Sequence, residues 1–588
     1  MPDLPLGGPA SSTVHARPAA TPAWWRVAVV YQIYPRSWAD GNGDGIGDLP
    51  GVTARLPYLR DLGVDAVWLS PFYLSPQADA GYDVADYRDI DPLFGTLDDA
   101  DAMLATAHDL GLKVIVDLVP NHSSDEHPWF RAALAAGPGS PERDRYTFRD
   151  GRGAHGDLPP NNWLCVFGGP AWTRVESDED LGSATGGQWY LHLFAAQQPD
   201  FNWENPHVRA EFEDVLKFWL DRGVDGFRVD VANALIKEAG LPDWDEPLHL
   251  LGDADGVPHD HRGKRPPMWD QEGVHEVYRA WRQILNSYNP IGADGYSDDN
   301  DRILCAEAWV DSPESLARYV RDDEMHQAFN FEFLQAQWRA PDLCKAITAS
   351  LTAADSVGAP TTWVLSNHDV VRHASRLGLP VGRRRPNGIG IGDPQPDAAL
   401  GLRRARAATT LMLALPGSAY LYQGEELGLP DSTDMPDDVR QDPSWPRSGF
   451  TERGRDGARV PMPWEGDRPS YGFGPSGQTW LPQPASYAAL AVDRQVGAPD
   501  STLELYRALL STRRDRGLGA GSLSWLGGYP GEVVAFVNEP APGERVLVIA
   551  NLSAEPVAVP AGAQVLVSSG SLTPGGLVPT DTTVWLSA

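Results

Sequence analysis

Residues 226–235 read GFRVDVANAL, and this stretch is the clearest indication of the fold. It begins as a short apolar run of the strand type, in which Arg228 and Asp230 are two positions apart and so share one face. Helical patterns separate such runs, as over residues 98–110, where acidic residues lead an apolar face. This alternation predicts an α/β protein with a parallel (β/α)8 TIM barrel. The other predicted strands are residues 27–33, 64–69, 114–119, 303–306, 361–365 and 418–422.

Shifts in composition predict the domain boundaries. The start of the chain is rich in Pro, Ala and Ser, whereas its end has Val-rich strands between Pro/Gly turns. Two long polar stretches interrupt the barrel pattern, and stretches of that length are usually functional loops or small subdomains. The predicted parts are a disordered tail at 1–23, a barrel at 24–122 and 189–519 with an insertion at 240–300, an excursion at 123–188 and an all-β domain at 520–588.

The composition is that of a large globular protein with an acidic surface. The net charge of −32 repels phosphate groups and therefore disfavours nucleic acid and anionic membranes as partners. It is compatible with a neutral ligand such as a sugar. No apolar run approaches the roughly 20 residues that span a bilayer. The first residues lack the basic start and apolar core of a secretory signal, so we expect a cytoplasmic location.

Polar side chains occur where the predicted barrel strands end, which is the rim that carries active sites in TIM barrels. Taken alone, each has an ordinary structural explanation: Arg228 and Asp230 can form an ion pair, and Glu307 can cap a helix. Their common position on one rim instead favours a catalytic site. The set comprises His122, Arg228, Asp230, Glu307, His368 and Asp369.

Paired carboxylates on one rim suit the cleavage of a glycosidic bond. Retaining cleavage needs a carboxylate nucleophile and a carboxylic acid about 5–5.5 Å apart. We therefore expect Asp230 to act as the nucleophile and Glu307 as the acid/base. The adjacent Arg228 is expected to hold Asp230 in its ionised form.

Several blocks of the sequence resemble glycoside hydrolase family 13, the α-amylase family. Four blocks are similar to the four sequence regions of that family, and others are similar to its oligo-1,6-glucosidase and α-glucosidase branch. The resemblance covers about residues 24–470 in collinear order. It implies a TIM barrel, a B domain at 123–188 and a C-terminal antiparallel β-sandwich. The main blocks are DLVPNH (117–122), QPDFNWENP (198–206), GFRVDVANAL (226–235), EAW (307–309), SNHD (366–369) and RDGARVPMPW (455–464).

Carried over position by position, the resemblance implies a complete active site. Asp230 would be the nucleophile, Glu307 the acid/base, and Asp369 a third carboxylate that holds two hydroxyls of the non-reducing glucose. Tyr82 would stack against that glucose and Asp83 would bind its far hydroxyls, which makes the pocket blind and the enzyme exo-acting. The remaining implied substrate contacts are His122, Phe167, Arg228, Val231, His368 and Arg459.

A separate motif near the N-terminus offers oxygen atoms at alternate positions, as in the first nine positions of an EF-hand loop. Its twelfth position is Gly51 rather than Glu, so the loop is no EF-hand, and a plain Asp/Asn/Gly turn is the alternative. The same segment of the glucosidase branch holds a structural Ca²⁺, so the resemblance implies a stabilising calcium site. The oxygen donors are Asp40, Asn42, Asp44, the Ile46 carbonyl and Asp48.

The sequence leaves linkage preference and reaction outcome open. Val231 follows the nucleophile, where Val leans towards α-1,6 bonds in this branch, yet Val is also a common strand residue. Val460 and Pro463 differ from the Thr and Gln of many oligo-1,6-glucosidases. We expect an α-glucosidase that acts on small α-glucosides. The alternative is a family-13 transglycosylase or isomerase, for instance one that forms trehalose or isomaltulose.

Overall fold

The computed structural model describes residues 10–18, 22–175, 187–245, 265–289, 301–380 and 387–587. Residues 1–9 and 19–21 of the predicted tail, 176–186 of the excursion, and 246–264 and 290–300 of the insertion lie outside them. The helices in chain order are α1 (Trp24–Val27), α2 (Leu49–Leu62), α3 (Leu97–Asp109), α4 (Pro128–Ala136), α5 (Pro206–Arg222), α6 (Val274–Tyr288), α7 (Pro313–Arg318), α8 (Phe331–Gln335), α9 (Ala340–Ser356), α10 (His373–Arg376), α11 (Ala398–Leu413), α12 (Ser444–Arg447), α13 (Tyr487–Leu490), α14 (Val492–Gln495) and α15 (Thr502–Arg516). The strands are β1 (Ala10–His15), β2 (Val29–Ile33), β3 (Ala66–Leu69), β4 (Tyr73–Leu74), β5 (Asp86–Ile90), β6 (Lys113–Leu118), β7 (Phe148–Asp150), β8 (Trp172–Arg174), β9 (Gln188–Leu191), β10 (Gly226–Val229), β11 (Ile303–Ala306), β12 (Gln327–Asn330), β13 (Thr362–Val364), β14 (Ser418–Tyr422), β15 (Ser522–Leu526), β16 (Val533–Ala541), β17 (Glu544–Asn551), β18 (Gln564–Ser568) and β19 (Thr582–Ser587).

Eight parallel strands close into a barrel, so the predicted TIM barrel is confirmed. Around the barrel the order is β2, β3, β6, β10, β11, β12, β13 and β14, and β14 returns to β2 by pairing Ala419 with Val29. Helices connect successive strands on the outside, as parallel pairing requires. Strand β12 was not predicted, because Gln327 and Asn330 break its apolar run.

Local capping explains where the barrel helices begin and end. Helix α2 begins after Asp48, whose carboxylate accepts a hydrogen bond from the Gly51 N–H, and it ends at Gly63 with φ 99°. Helix α3 begins with a capping box between Thr96 and Asp99. Such caps satisfy the free N–H groups of a first helical turn and so fix where each helix begins.

The interior of the barrel is a packed core. Trp68, Phe329 and Tyr420 meet there, with ring centroids 4.8 to 6.1 Å apart. A second, larger group of buried side chains lies between the strands and the surrounding helices. The guanidinium of Arg228 lies 5.0 Å above the ring of Trp68, so this aromatic core forms the floor of the strand-end rim.

The excursion after β6 has secondary structure of its own. It contains helix α4 and a three-stranded antiparallel sheet in the order β7–β9–β8. Since β9 belongs to that sheet and ends at Leu191, the domain extends past the predicted boundary at residue 188. The chain returns to the barrel through Asp200, which forms a β-bridge with His122.

The C-terminal strands form an antiparallel sheet in the order β1–β15–β16–β17–β19–β18. The expected antiparallel C-terminal domain is confirmed, and the named strands form a single sheet. One face packs on α11, where the Trp585 indole donates to the Thr410 carbonyl at 2.8 Å. The other face has its own apolar cluster around Ile549 and Val584. Helices of the barrel thus take the place of a second sheet.

The expected disordered tail at residues 1–23 is wrong in its central part. Ala10–His15 forms β1, which pairs antiparallel with β15 at the edge of the C-terminal sheet. His15 also contacts Asp355 at 2.7 Å. The composition of the tail could not reveal this, because the pairing partner lies more than 500 residues away in sequence. Among the described helices, none is long and apolar enough to cross a membrane.

Candidate active site

The barrel brings the predicted carboxylates to one rim. Asp230 directly follows β10, Glu307 directly follows β11, and Asp369 lies in the loop after β13. Parallel strands present their C-terminal ends at the same face of a barrel, so these three side chains converge. All three line one cavity, whose empty space, counted together with the solvent at its mouth, is about 530 Å³. Its walls are Asp79, Tyr82, His122, Val166, Phe167, Phe194, Gln198, Asp230, Val231, Glu307, Trp309, Asp369 and Arg455.

Arg228 lies beneath the cavity and contacts three carboxylates at once. Its guanidinium is 2.7 Å from Asp230, 2.5 Å from Glu307 and 2.9 Å from Asp117. Asp117 is fully buried and also accepts a hydrogen bond from the Tyr82 hydroxyl at 3.0 Å. Burial raises the pKa of Asp117 to about 7, although Arg228 opposes the shift. One positive charge is therefore shared among three acids.

Arg228 favours the ionised form of Asp230, as expected, but burial and the neighbouring acids oppose it. Burial raises the pKa of Asp230 well above its ordinary value, and the nearby Glu307 and Asp117 raise it further against the attraction of Arg228. Three carboxylates around a single guanidinium carry excess negative charge, which favours retaining a proton in the cluster.

Asp369 has the opposite environment. It contacts Arg455 and Arg459 at 3.0 Å each, and His368 at 3.2 Å. Burial raises the pKa of Asp369, but His368 and the two arginines outweigh burial and hold it below its usual range. Asp369 is therefore ionised and can accept hydrogen bonds from sugar hydroxyls.

Asp83 does not line the cavity as predicted, whereas the nearby Asp79 does. The Asp83 carboxylate is fully buried and accepts from the backbone N–H groups of Ala78 and Asp79 at 2.8 and 2.9 Å. It shapes the loop and does not line the cavity, and burial raises its pKa to about 6. Asp79 lines the cavity and contacts Arg455 at 2.7 Å. One arginine thus links the two acids Asp79 and Asp369.

The other predicted substrate contacts divide into two groups. Tyr82, His122, Phe167 and Val231 line the cavity. Arg228, His368 and Arg459 lie behind the residues that line it: the ring of His368 stacks on Tyr82 at 5.3 Å, and Arg459 donates to the His368 carbonyl at 2.9 Å. Burial lowers the pKa of His122 to about 4, so this ring is neutral.

Several cavity residues escaped sequence reasoning. Arg455 precedes the predicted Arg459 in the same RDGAR block, and Trp309 follows Glu307 in the EAW block, so both were within reach of the motifs. Asp79 is three positions before the predicted Tyr82. Gln198 begins the QPDFNWENP block and Val166 precedes the predicted Phe167, so both also lay within reach of the motifs, whereas no quoted block contains Phe194. They close the cavity from above the barrel rim.

Backbone strain adjoins the nucleophile. Val231 has φ 43°, an uncommon conformation for a β-branched residue, which costs on the order of 1–3 kcal/mol. This conformation lets the Val231 N–H donate to the Glu307 carboxylate at 3.2 Å. Two further bonds join the same segments, from Ala232 N–H to the Glu307 carbonyl at 2.7 Å and from Glu307 N–H to the Val229 carbonyl at 3.0 Å. The ends of β10 and β11 are thus firmly connected.

The predicted calcium loop is ordered by its own backbone. Asp40 accepts from the N–H groups of Gly43 and Gly45, and Asp48 accepts from Gly41 and Gly51 as the cap of α2. Asn42 and Asp44 each accept from the N–H two positions later. The described residues contain no group of three or more acidic, His or Cys side chains close enough for one metal ion. The calcium site stays a prediction.

Comparisons with known proteins agree with this geometry. The sequence model described as the alpha amylase catalytic domain matches residues 32–520. A probable alpha-glucosidase of Rhizobium meliloti (strain 1021) is 38% identical over 547 residues, which is 90% of each chain. An oligo-1,6-glucosidase of Parageobacillus thermoglucosidasius is 37% identical over 84% of each chain. The crystal structure of an alpha-glucosyl transfer enzyme, XgtA, has a TM-score of 0.82 at 36% identity, covering 97% of this chain and 100% of that one.

The family model spans most of the chain, and both curated relatives cover more than four-fifths of it. The barrel, the carboxylates at its strand ends and the domain inserted after β6 agree with these matches. The chain therefore belongs to the α-amylase family of glycoside hydrolases, glycoside hydrolase family 13.

Proposed function

We propose that the protein is an exo-acting, retaining α-glucosidase that removes terminal glucose from short α-linked oligosaccharides or disaccharides. The observation that carries the proposal is the placing of acidic side chains in two parts of one cavity. Asp230 and Glu307 lie against one guanidinium at its reactive end, and Asp369, Arg455 and Asp79 form a polar wall. The relatives named alpha-glucosidase and oligo-1,6-glucosidase support the same activity.

In the first step, a carboxylate oxygen of Asp230 attacks the anomeric carbon of the terminal glucose. The bond from that carbon to the glycosidic oxygen breaks, and Glu307 gives its proton to this oxygen. Glu307 becomes anionic in this step, and Arg228, 2.5 Å away in the structure, is placed to stabilise that charge.

In the second step, water attacks the glucosyl–Asp230 ester. Glu307 takes a proton from the water, the ester bond breaks, and glucose leaves with its original α configuration. Asp230 returns to its contact with Arg228 at 2.7 Å. The same guanidinium therefore stabilises each carboxylate when that carboxylate carries the charge.

The polar wall explains the exo-acting mode. Asp369 is ionised and accepts hydrogen bonds from two hydroxyls of the bound glucose. Asp79 and Arg455 bind hydroxyls farther from the reacting bond, and their 2.7 Å contact closes this side of the cavity. A glucose unit with a sugar attached at that side does not fit, so cleavage starts from the non-reducing end.

The test is product analysis with maltose, isomaltose and sucrose as separate substrates of the purified protein. We expect glucose release from at least one of them, with α-glucose as the first anomer seen by proton NMR. Release of β-glucose first would contradict the retaining mechanism. Absence of glucose from all three substrates would contradict the proposed activity.

Transglucosylation is a second candidate because of the apolar wall of the cavity. Val166, Phe167, Phe194 and Trp309 line the cavity together with Val231, and they can bind an acceptor and exclude water. The likeness to an alpha-glucosyl transfer enzyme points the same way. Longer sugars or rearranged disaccharides that form at high maltose or sucrose would support this candidate, and glucose alone would support hydrolysis. The trehalose- and isomaltulose-forming reactions would be recognised by the same analysis.

We also propose that the loop from Asp40 to Asp48 binds Ca²⁺ in a stabilising role. The support is the run of oxygen donors at alternate positions, held in consecutive Asx turns by Asn42 and Asp44. An oxygen that accepts one N–H keeps a second lone pair, but the carboxylates of Asp40 and Asp48 must turn towards a common point. Added Ca²⁺ is expected to raise the Tm without changing kcat. An unchanged Tm after chelation and re-addition would contradict the proposal. The cytoplasmic location also stays a prediction.

A further inference from the structure

The Glu307 carboxylate receives hydrogen bonds on both of its oxygens. Oε2 forms an ion pair with Arg228 at 2.5 Å and accepts a hydrogen bond from the Val231 N–H at 3.2 Å. Oε1 accepts from the indole N–H of Trp309 at 3.3 Å. The groups that face Oε2 come from β10 and from the second residue after it, whereas the donor on Oε1 comes from the segment that carries Glu307 itself.

Trp309 is fixed in position by two further contacts. Its carbonyl accepts from the Asn233 side chain at 2.6 Å. Its ring stacks on Phe331 with centroids 3.8 Å apart and an interplanar angle of 8°. Phe331 is buried in the interior core of the barrel, so the indole lies on a rigid base. The half-buried Trp309 nevertheless lines the cavity beside Glu307.

The two oxygens of Glu307 therefore differ in chemistry. An oxygen that faces a guanidinium is the poorer site for a proton, because protonation there would set a proton against a positive charge. The proton that passes to the leaving group consequently belongs on Oε1. A carboxyl group has broad freedom of rotation about its last torsion, and donors on both oxygens restrict that rotation.

We infer that Trp309 is a positioning residue for Glu307: its indole N–H occupies one in-plane position of Oε1 and leaves the other for the proton that passes to the leaving group. The inference deepens the proposed glucosidase function and rests on it. Trp309 acts in this account through Glu307, and removing its N–H misdirects the acid while leaving the nucleophile untouched.

Two leaving groups differ in how much they depend on the position of Glu307. The leaving group of maltose is an alcohol oxygen of the second glucose. This oxygen is strongly basic as an anion, so its departure requires the proton of Glu307. The phenol that leaves from 4-nitrophenyl α-glucoside is stable as an anion and departs with little protonation. Misplacement of the acid therefore slows maltose cleavage much more than aryl glucoside cleavage. A merely structural role would lower both rates together.

The experiment compares kcat/KM for maltose and 4-nitrophenyl α-glucoside in the wild type and in Trp309→Phe, which keeps the ring on Phe331 and loses the N–H. We expect about a tenfold loss for maltose and less than about a twofold loss for the aryl glucoside. An equal loss on both substrates, or no loss on either, overturns the inference.

Phe331→Leu is the second variant, because it keeps the N–H and removes the stacking partner. We expect a smaller loss with the same preference for maltose, of about threefold. If Trp309→Phe fails to fold, this variant decides the matter by the same ratio of losses. A wild type that cleaves neither substrate would contradict the proposed function itself, which is a different outcome from a variant that loses both activities equally.

Discussion

Arg455 contacts Asp369 at 3.0 Å, and a second nitrogen of the same guanidinium contacts Asp79 at 2.7 Å. The third nitrogen contacts the buried Asp442 at 2.5 Å, so one side chain aligns two acids of the cavity while it is held by a third. The planar, branched shape of a guanidinium makes these three contacts possible together.

Lysine at position 455 is expected to disrupt this wall. Its single ammonium group cannot reach all three acids, so Asp369 loses alignment and Asp79 becomes partly unpaired. We predict that Arg455→Lys lowers kcat/KM for maltose about 100-fold, mainly through the positioning of glucose. The matched control is Arg453→Lys, whose partner Asp437 lies outside the cavity lining. Equal effects of the two changes would contradict the account.

The buried Glu425 is expected to make the stability of the folded protein depend on pH, independently of catalysis. This fully buried side chain follows β14, and burial raises its pKa from 4.5 to about 8. The folded state therefore keeps a proton that the unfolded state loses. Its contribution to stability is complete below about pH 4.5 and is lost as the pH rises through about 8.

Gln at position 425 stays neutral and removes this dependence. We predict that the difference in Tm, Glu425→Gln minus wild type, increases as the pH rises from 5 to 9. Gln has the same shape and retains an oxygen for the Tyr422 N–H, which now donates at 3.1 Å. A Tm difference that is independent of pH would contradict the raised pKa.

Lys237 joins the inserted domain to the barrel. Its ammonium group lies 2.8 Å from Asp200 and 2.8 Å from the Asn121 side chain, with both carboxylate and ammonium buried. Lys237→Met leaves the Asp200 charge buried without its cation, at a cost of about 3–5 kcal/mol in the free energy of unfolding. The double variant with Asp200→Asn is expected to recover part of that loss in urea unfolding. A loss that the second change does not reduce would contradict a charge-based role.

Substitution of Val231 is expected to change the preference between α-1,4 and α-1,6 bonds. It lines the cavity directly after the nucleophile and beside Glu307. Thr has the same branched shape and adds a hydroxyl towards the leaving group. We predict that Val231→Thr raises the ratio of kcat/KM for maltose over isomaltose by at least about tenfold. An unchanged ratio, with unchanged Tm, would mean that other residues determine the linkage.

The barrel could be predicted because its buried parallel strands have short apolar runs. Strand β12 could not, because its polar Gln327 is satisfied by distant partners, the Trp25 carbonyl at 2.6 Å and the Tyr420 hydroxyl at 2.8 Å. Strand β1 was missed for a related reason. Its partner β15 is at the other end of the chain, and the composition of a short segment does not indicate such a distant partner.

The catalytic carboxylates were predictable because they lie at strand ends, where the barrel determines their direction. Asp79 and Asp83 lie in an irregular turn, and backbone torsion decides which of them faces the cavity. Gln77 and Ala80 adopt positive φ angles of 67° and 51° there, which spacing along the chain does not indicate. Arg455 reaches Asp369 across 86 residues of mostly irregular chain, so its motif could suggest a role and the fold was needed to show the partner.

The central claim is that Asp230 is the nucleophile of a retaining glucosidase. The most direct measurement is glucose release from maltose by Asp230→Asn beside the wild type, with the exposed Asp214→Asn as control. We predict that turnover by Asp230→Asn falls at least about a thousandfold while its Tm and the control's activity stay near those of the wild type. Near wild-type turnover by Asp230→Asn would contradict the account.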